Sequence, residues 1–235
     1  GEGNSGYYVR GGSLDQNLVL LDGATIYNVG HLFGFFSIFN TDAIRSAEMT
    51  KAGIPANFGG RLASVLDVSM KEGNMKKYEA DGGIGLIYSR INLQGPIVKN
   101  KASFLISGRR TYVDLIIQPF LKEDSDLKGM RFYFYDLNGK INWIINDKHH
   151  IFLSGYYGSD IYGFNYSSSS SSDLKFTFKW NNASAALRWN YMISNQLFLN
   201  TSILFSDYNF NTDVMLDIYN FTILSSIRDY TAKTE

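Results

Sequence analysis

The residue types best suited to chemistry in this 235-residue chain are three histidines, a short acidic cluster and a glycine cluster. His149 and His150 are adjacent, so on a strand their rings point to opposite faces and cannot chelate one metal. His31 has no second ligand near it in the chain. Glu123-Asp124-Ser125-Asp126 has loosely calcium-like spacing but lacks the glycine and the closing glutamate of a calcium loop. Gly82-Gly83-Ile84-Gly85 is not followed by the rest of a dinucleotide fingerprint and sits in a strand pattern, where glycines ease curvature or close approach. Asp22 precedes Gly23, a pairing that suits a turn better than a catalytic carboxylate. Gly-x-Ser-x-Gly, the phosphate loop and His-Glu-x-x-His are all absent. The expectation is a protein that is not an enzyme and that needs no cofactor or metal.

The elements that hold these residues should be strands. Aromatic residues make up 15% and charged residues only 19%, while Gly is frequent and Pro rare, a balance that fits many strands joined by tight turns. Lys plus Arg equals Asp plus Glu, so no net field recruits nucleic acid. With no Cys, neither a disulfide framework nor a thiolate metal site can form. No apolar run approaches the roughly 20 residues of a membrane helix, so a membrane could be crossed only by strands.

After Asn74 the pattern is long and alternating. In Met130 to Ile145 one face carries Tyr133, Tyr135, Leu137, Ile141, Trp143 and Ile145, and the other Asp136, Asn138, Lys140 and Asn142. Asn181 to Ile193 alternates in the same way. Sustained period two with Tyr and Trp toward the ends matches membrane strands with an interfacial girdle. Eight strands are expected: Lys76 to Ile84, Ile87 to Gly95, Ala102 to Tyr112, Arg131 to Ile145, His149 to Tyr162, Phe176 to Ile193, Gln196 to Phe210 and Ile218 to Thr231. The minimal turn at Gly85-Leu86 leaves open whether residues 76–95 form one strand or two. Connections should alternate, with long loops at Val113 to Met130 and Gly163 to Lys175 and a moderate one at Asn211 to Asp217. Short turns on one side and long loops on the other is the outer-membrane arrangement. Ser167 to Ser172 reads as a mobile stretch of one long loop, and Leu115-Ile116-Ile117 as an apolar cover or partner contact in another.

The first 74 residues are punctuated more densely. Strands are expected at Tyr7 to Arg10, Leu18 to Leu21 and, after an Asp22-Gly23 hairpin, Ala24 to Tyr27. Val29 to Phe39 reads as a loop, Asn40 or Thr41 as the cap of a turn through Ile44, Glu48 to Lys51 as a strand, and Leu66, Val68 and Met70 as the buried side of a last strand. Arg-Gly-Gly, Asn-Leu-Val-Leu-Leu-Asp-Gly, Phe-Asn-Thr-Asp-Ala-Ile and Gly-Ile-Pro-Ala-Asn-Phe-Gly-Gly-Arg-Leu-Ala-Ser-Val-Leu-Asp follow one another in order. This series resembles the later part of the plug domain of TonB-dependent outer-membrane transporters, of a Bacteroidetes-like type.

That resemblance implies a mainly β fold. Residues 1–74 would be the C-terminal part of a plug with short strands and one helical turn, and residues 75–235 the first eight antiparallel strands of a barrel of about 22. It places an export signal, the segment that meets TonB and the first part of the plug upstream of Gly1, with further barrel strands after Glu235. The implied function is import of a siderophore, vitamin or glycan through the bacterial outer membrane, energised through TonB. Implied partners are TonB, outer-membrane lipid, the nutrient and a surface lipoprotein, with no nucleic acid. Tyr27, Phe33, Phe35 and Phe36 would face the ligand or else pack the plug against the wall. Arg10, Arg61, Arg109 and Asp136 would join plug to barrel, because a planar guanidinium binds carboxylates bidentately. Two other architectures share the alternation: a self-contained eight-stranded membrane barrel acting as anchor or adhesin, and a soluble ligand-binding barrel.

Overall fold

The computed structural model describes the chain except residues 1–15, 52, 56–57, 62, 123–124, 126–127, 169–170 and 217, and the side chains of 166–173. The strand expected at Tyr7 to Arg10 and the acidic cluster at 123–126, apart from Ser125, therefore lie outside the described residues.

The first part is a four-stranded sheet in the order β2-β1-β6-β5. Its strands are β1 (Asn17–Leu21), β2 (Ala24–Thr25), β5 (Ile44–Thr50) and β6 (Ser64–Met70). Between β2 and β5, the segment read as a loop contains a small hairpin, β3 (Gly30–His31) and β4 (Phe36–Ser37), closed by a turn at Leu32–Gly34. Strand β1 is central, paired with β2 and with a parallel β6, and its consecutive Val19, Leu20 and Leu21 are all buried, so both of its faces are covered. Asp22 and Gly23 both have positive φ, 48° and 90°, as a tight hairpin turn requires. Asn40 caps the next turn, its side-chain oxygen accepting from the Asp42 N–H and its carbonyl from Ala43 and Ile44. Strand β5 begins at Ile44, earlier than the apolar pattern suggests, because Ile44 pairs with Met70 of β6. Val19, Leu21, Ile26, Ile38, Val68 and Met70 form the core of this inner module, completed by Leu105 and Tyr156 of the second sheet.

That second sheet has eight antiparallel strands in sequence order. They are β7 (Glu79–Ile84), β8 (Tyr88–Val98), β9 (Ala102–Thr111), β10 (Arg131–Asn146), β11 (His149–Ser168), β12 (Ser171–Ser194), β13 (Leu197–Leu216) and β14 (Tyr219–Thr234). Residues 76–95 thus contribute two strands, paired from Glu79↔Gln94 to Ile84↔Ser89. Gly82 and Gly83 lie in β7 and Gly85 in the turn. Between β9 and β10 the chain forms a short helix, α1 (Val113–Ile117), whose Leu115, Ile116 and Ile117 are exposed.

Burial in this sheet is the reverse of a soluble protein's. Along β10, Phe134, Asp136, Asn138, Lys140 and Asn142 are buried against the inner module, while Leu137, Ile141, Trp143 and Ile145 are exposed. On β12, Asn182, Ser184 and Ala186 are buried and Leu187 and Trp189 exposed. An apolar outer surface around a polar inner one fits hydrocarbon outside and excludes the soluble barrel. A closed barrel of eight strands would have room only for side chains, whereas this sheet holds a second folded module on its concave side. At one margin of the apolar band, His149 stacks on Tyr191 and Trp189, with ring centroids 4.5 and 5.7 Å away. Tyr135 and Tyr157 meet at the other margin. Tyr135 to Trp143 spans roughly nine residues, enough for a tilted strand to cross the hydrocarbon.

Two expected loops are strand instead. Strand β12 has 24 residues and β11 and β13 have 20 each, well beyond the crossing length. The described residues of Gly163 to Lys175 and of Asn211 to Leu216 continue the ladders through Ser168↔Ser171 and Leu216↔Tyr219, so Ser167, Ser168, Ser171 and Ser172 are strand residues rather than part of a long loop. In these extensions the chemistry of the faces changes over. The outward parity, apolar at Leu187 and Ala185, becomes Asn181, Lys179 and Thr177, while the inward parity becomes Trp180, Phe178 and Phe176. Strand β13 does the same, with Asn209 and Asn211 outward and Tyr208 and Phe210 inward. Outside the band the outer solvent is water, so the polar side turns out.

Substitutions on the outer face locate the boundary. Leu187→Arg, within the apolar band, should cost about 2–4 kcal/mol if near the midplane, and Asn209→Arg, beyond it, at most about 1 kcal/mol. Refolding titrations of the full-length protein into lipid vesicles measure both, and equal costs would contradict this placement.

Candidate functional site between the inner module and the wall

The inner face of the wall grips the inner module through three sets of polar contacts, each built by a charged residue at an inward position of an otherwise alternating strand. The first surrounds the β3–β4 hairpin. His31 is buried, with Nδ1 at 2.6 Å from the Asp160 carboxylate of β11 and Nε2 at 3.3 Å from both the Asp136 carboxylate of β10 and the Tyr156 hydroxyl. Asp160 also accepts the Leu32 backbone N–H at 2.8 Å. Asp136 accepts from Arg109 Nε of β9 at 2.6 Å, and the same guanidinium donates to the Ser37 carbonyl on β4. The His31 ring stacks on Phe134, 4.1 Å between centroids and 5° from parallel. Gly158 makes room for this, since a Cβ there would sit 2.2 Å from the Tyr156 hydroxyl and 3.0 Å from the His31 ring.

Two carboxylates and one guanidinium leave a net negative charge beside His31, and a protonated imidazole closes the balance. Burial pulls the His31 imidazole down, but its hydrogen bonds to Asp136 and Asp160 outweigh burial and hold it above its ordinary value near 6.5.

The second set of contacts lies at the β1–β2 turn. Lys140, inward on β10, reaches Asp22 at 3.0 Å and the Met70 carbonyl at 3.1 Å, and Asp22 also accepts the Met70 N–H at 3.1 Å. The turn residue is thus also one half of a buried ion pair. The third set is mixed, its Arg90 bridge partly exposed and its Asn40, Ser103, Ser107 and Asn182 side chains buried. Arg90 of β8 bridges Asp42 and Asp81, Asn40 donates to the Ser107 hydroxyl at 2.8 Å, and Ser103 donates to the Glu72 carbonyl at 2.7 Å. Asn182 donates to the Asn28 carbonyl at 2.8 Å.

Among the residues singled out from sequence, Arg109 and Asp136 lie together in the first set of contacts. Arg61 is exposed, and Arg10 lies outside the described residues. Phe33 and Phe35 are 59% and 67% exposed, whereas Phe36 packs between Tyr88 and Phe134, and Tyr27 packs on Tyr208. Sequence reading missed His31, Asp160, Asp22 and Lys140 as contacts. Lys140 and Asp160 were findable, since each is a charge at the inward parity of a strand whose other face is apolar. His31 was not, because its ligand-like neighbours lie 105 and more residues away. Among the described residues no group of three or more His, Asp or Glu is arranged to hold a metal. This geometry supplies adhesion and positioning.

Two predictions follow from the buried contacts. Below pH about 6.5 the His31 contribution is fully present, and it is lost as pH rises through the elevated folded value. Protease sensitivity of the β3–β4 hairpin should thus increase with pH in this range, and His31→Gln should flatten that dependence. Lys140→Met alone strands Asp22 and should cost about 3–5 kcal/mol, whereas the double variant with Asp22→Asn should recover much of the loss in a double-mutant cycle.

Comparison with known proteins places residues 1–65 on the family model described as TonB-dependent Receptor Plug Domain. No curated protein sequence matches the chain. Among solved structures it is similar to the siderophore receptor PirA from Acinetobacter baumannii, at 12% identity and a TM-score of 0.42 over 94% of this chain and 50% of that one. It is also similar to a mutant of the ferric enterobactin receptor PfeA from Pseudomonas aeruginosa, at 11% identity and a TM-score of 0.41 over 94% and 47%. PirA from Pseudomonas aeruginosa gives 13% identity and a TM-score of 0.40 over 96% and 52%. The chain spans about half the length of these structures.

Proposed function

We propose, for a chain that belongs to the TonB-dependent outer-membrane receptors, that residues 1–74 act as a displaceable plug and residues 75–235 as part of the barrel wall that holds it. The receptor imports a scarce nutrient of the siderophore, vitamin or glycan class, and force arrives through TonB, which engages the receptor outside the described residues.

The observation that carries this reading is the character of the plug-to-wall contact. A module meant to stay would be sealed to its surroundings by apolar packing. Here apolar packing between plug and wall is confined to Leu105 with Tyr156, to the Phe134, Tyr162 and Trp180 rings around Leu32 and to Ala186 with Leu204 against Ala24, and between these patches the buried wall positions are Ser, Asn, Asp and Lys that hold the plug by charged and hydrogen-bonded groups. Polar contacts of this kind exchange for water at modest net cost, since a typical hydrogen bond contributes only about 0.5–1.5 kcal/mol net. Pulling can therefore release the plug without unfolding the wall. Phe33 and Phe35, exposed at the hairpin tip, are the plug residues proposed to meet ligand, and Arg109 with Asp136 the pair proposed to hold the hairpin.

A reversible lock tests the reading. The chain has no Cys, so Asn40→Cys with Ser107→Cys introduces one defined pair across a contact now 2.8 Å long. Under oxidising conditions cells carrying the pair should fail on the medium where a receptor deletion fails, and a reductant should restore growth. Unimpaired growth with the disulfide formed would contradict displacement of the plug.

A further inference from the structure

The outer face of the wall carries a feature that neither plug retention nor import uses. Between Leu137, Ile141, Leu153 and Tyr157 the lipid-facing surface sinks into an apolar groove of about 590 Å³. Its floor is a cross-strand row, Gly139 opposite Gly155 and Gly155 opposite Ala185. Nothing within the chain requires glycine at these positions. Neither glycine has a positive φ, and the ladders run through both without a bulge. A Cβ on Gly139 would meet only the Leu105 carbonyl at 4.0 Å, and one on Gly155 only the Ser184 carbonyl at 3.7 Å, both ordinary contacts. Glycine in a regular ladder admits close approach of a neighbour, and on this face the neighbour is lipid.

Cations stand above the groove on the same outward parity. The Arg110 guanidinium lies over the Tyr133 ring, 5.1 Å from its centroid, and Arg131 donates to the Thr177 hydroxyl at 3.4 Å. Lys179 shares the cross-strand row of Tyr133 through Ile161. Among the described residues none of the three forms an ion pair. The outward carboxylates at this level are on β13, where Asp207 is paired with Arg228 and Asp213 accepts from the Thr222 hydroxyl. The cations are therefore left to an anion from outside the chain. Their side of the membrane follows from the connections: β8 to β9, β10 to β11 and β12 to β13 are joined by short turns at the opposite end, the periplasmic one in bacterial barrels. Arg110, Arg131 and Lys179 thus stand at the outer leaflet.

Depth connects the two features. Gly139 is midway between Tyr135 and Trp143, the margins of the apolar band, so the groove lies near the midplane. From Gly139 to Tyr133, the ring beneath the Arg110 guanidinium, is six residues, roughly 20 Å along the strand and about 14 Å along the membrane normal at a 45° tilt. Half the hydrocarbon thickness is about 15 Å. A lipid whose head meets Arg110 therefore has acyl chains that end at the groove.

We propose that the groove and the cations above it form a binding site for one phosphorylated glycolipid of the outer leaflet, with an acyl chain in the groove and phosphate against Arg110, Arg131 and Lys179. A guanidinium matches phosphate bidentately, and the mostly apolar hollow has the size of a ligand pocket. The site needs only the wall's place in the outer membrane, and it stands whether or not the plug is displaced.

Diphosphoryl lipid A, which carries several acyl chains, and its dephosphorylated form are the probes. Native mass spectrometry of the delipidated full-length receptor in detergent should show saturable retention of diphosphoryl lipid A, with the dephosphorylated form bound at least about tenfold more weakly. Gly139→Leu with Gly155→Leu fills the groove, and Arg110→Gln with Lys179→Gln removes charge; each pair should cost one bound lipid or weaken it about tenfold. In the charge variant the two lipid forms should no longer differ at that site. Asn209→Gln, outward but away from the cations, should retain the lipid, and heat-modifiable migration on gels checks that each variant is folded. Folded variants that hold lipid A as the parent does overturn the site, and so does loss from the charge variant with none from the filled groove. Equal binding of both lipid forms by the unmodified receptor overturns it without recourse to any variant.

Discussion

A sheet that turns its apolar face to lipid has little apolar surface left for its own interior, and the rest of the structure depends on that constraint. The inner face of the wall must be polar, and polar groups removed from water must find partners. The inner module supplies them. Asp160 and Lys140, buried at inward positions, would each be an unpaired charge without His31 and Asp22 of the module, and Asp136, paired within the wall by Arg109, takes His31 as a second partner. Wall and plug are thus mutually required, and their contact is specific because a buried charge accepts few alternative partners.

The same constraint explains why the plug keeps a compact apolar core of its own. Val19, Leu21, Ile38, Val68 and Met70 pack on one another, since the wall offers them little beyond Leu105 and Tyr156. A module with an independent core can shift as a unit while its polar contacts break and reform. The hairpin carrying His31 and Phe33 stands apart from that core and touches three things at once: the charged network below, the Phe134 ring beside it and the Tyr162 ring above.

Each wall strand reads out its surroundings along its length. Leu187 and Ile203 face hydrocarbon, and Lys179 and Asn211, on the same parity further along, face water. Backbone pairing continues unbroken across the boundary, which is why β11 to β13 run to 20 residues or more and why the stretches expected as loops are ladder.

The sequence by itself determined the strand content, the parity of each wall strand and the Asp22-Gly23 turn, because period-two alternation and turn residues are local signals read over a few neighbours. It also showed that Arg109 and Asp136 point inward, since parity alone places them. Their pairing, and that of His31 with Asp160 and of Lys140 with Asp22, was decided only by tertiary structure, across separations of 27, 129 and 118 residues. The same holds for the division of the plug aromatics into exposed Phe33 and Phe35 and packed Phe36 and Tyr27. A charge shows in the sequence that it needs a partner, but which partner depends on how one sheet wraps another, and no local pattern carries that.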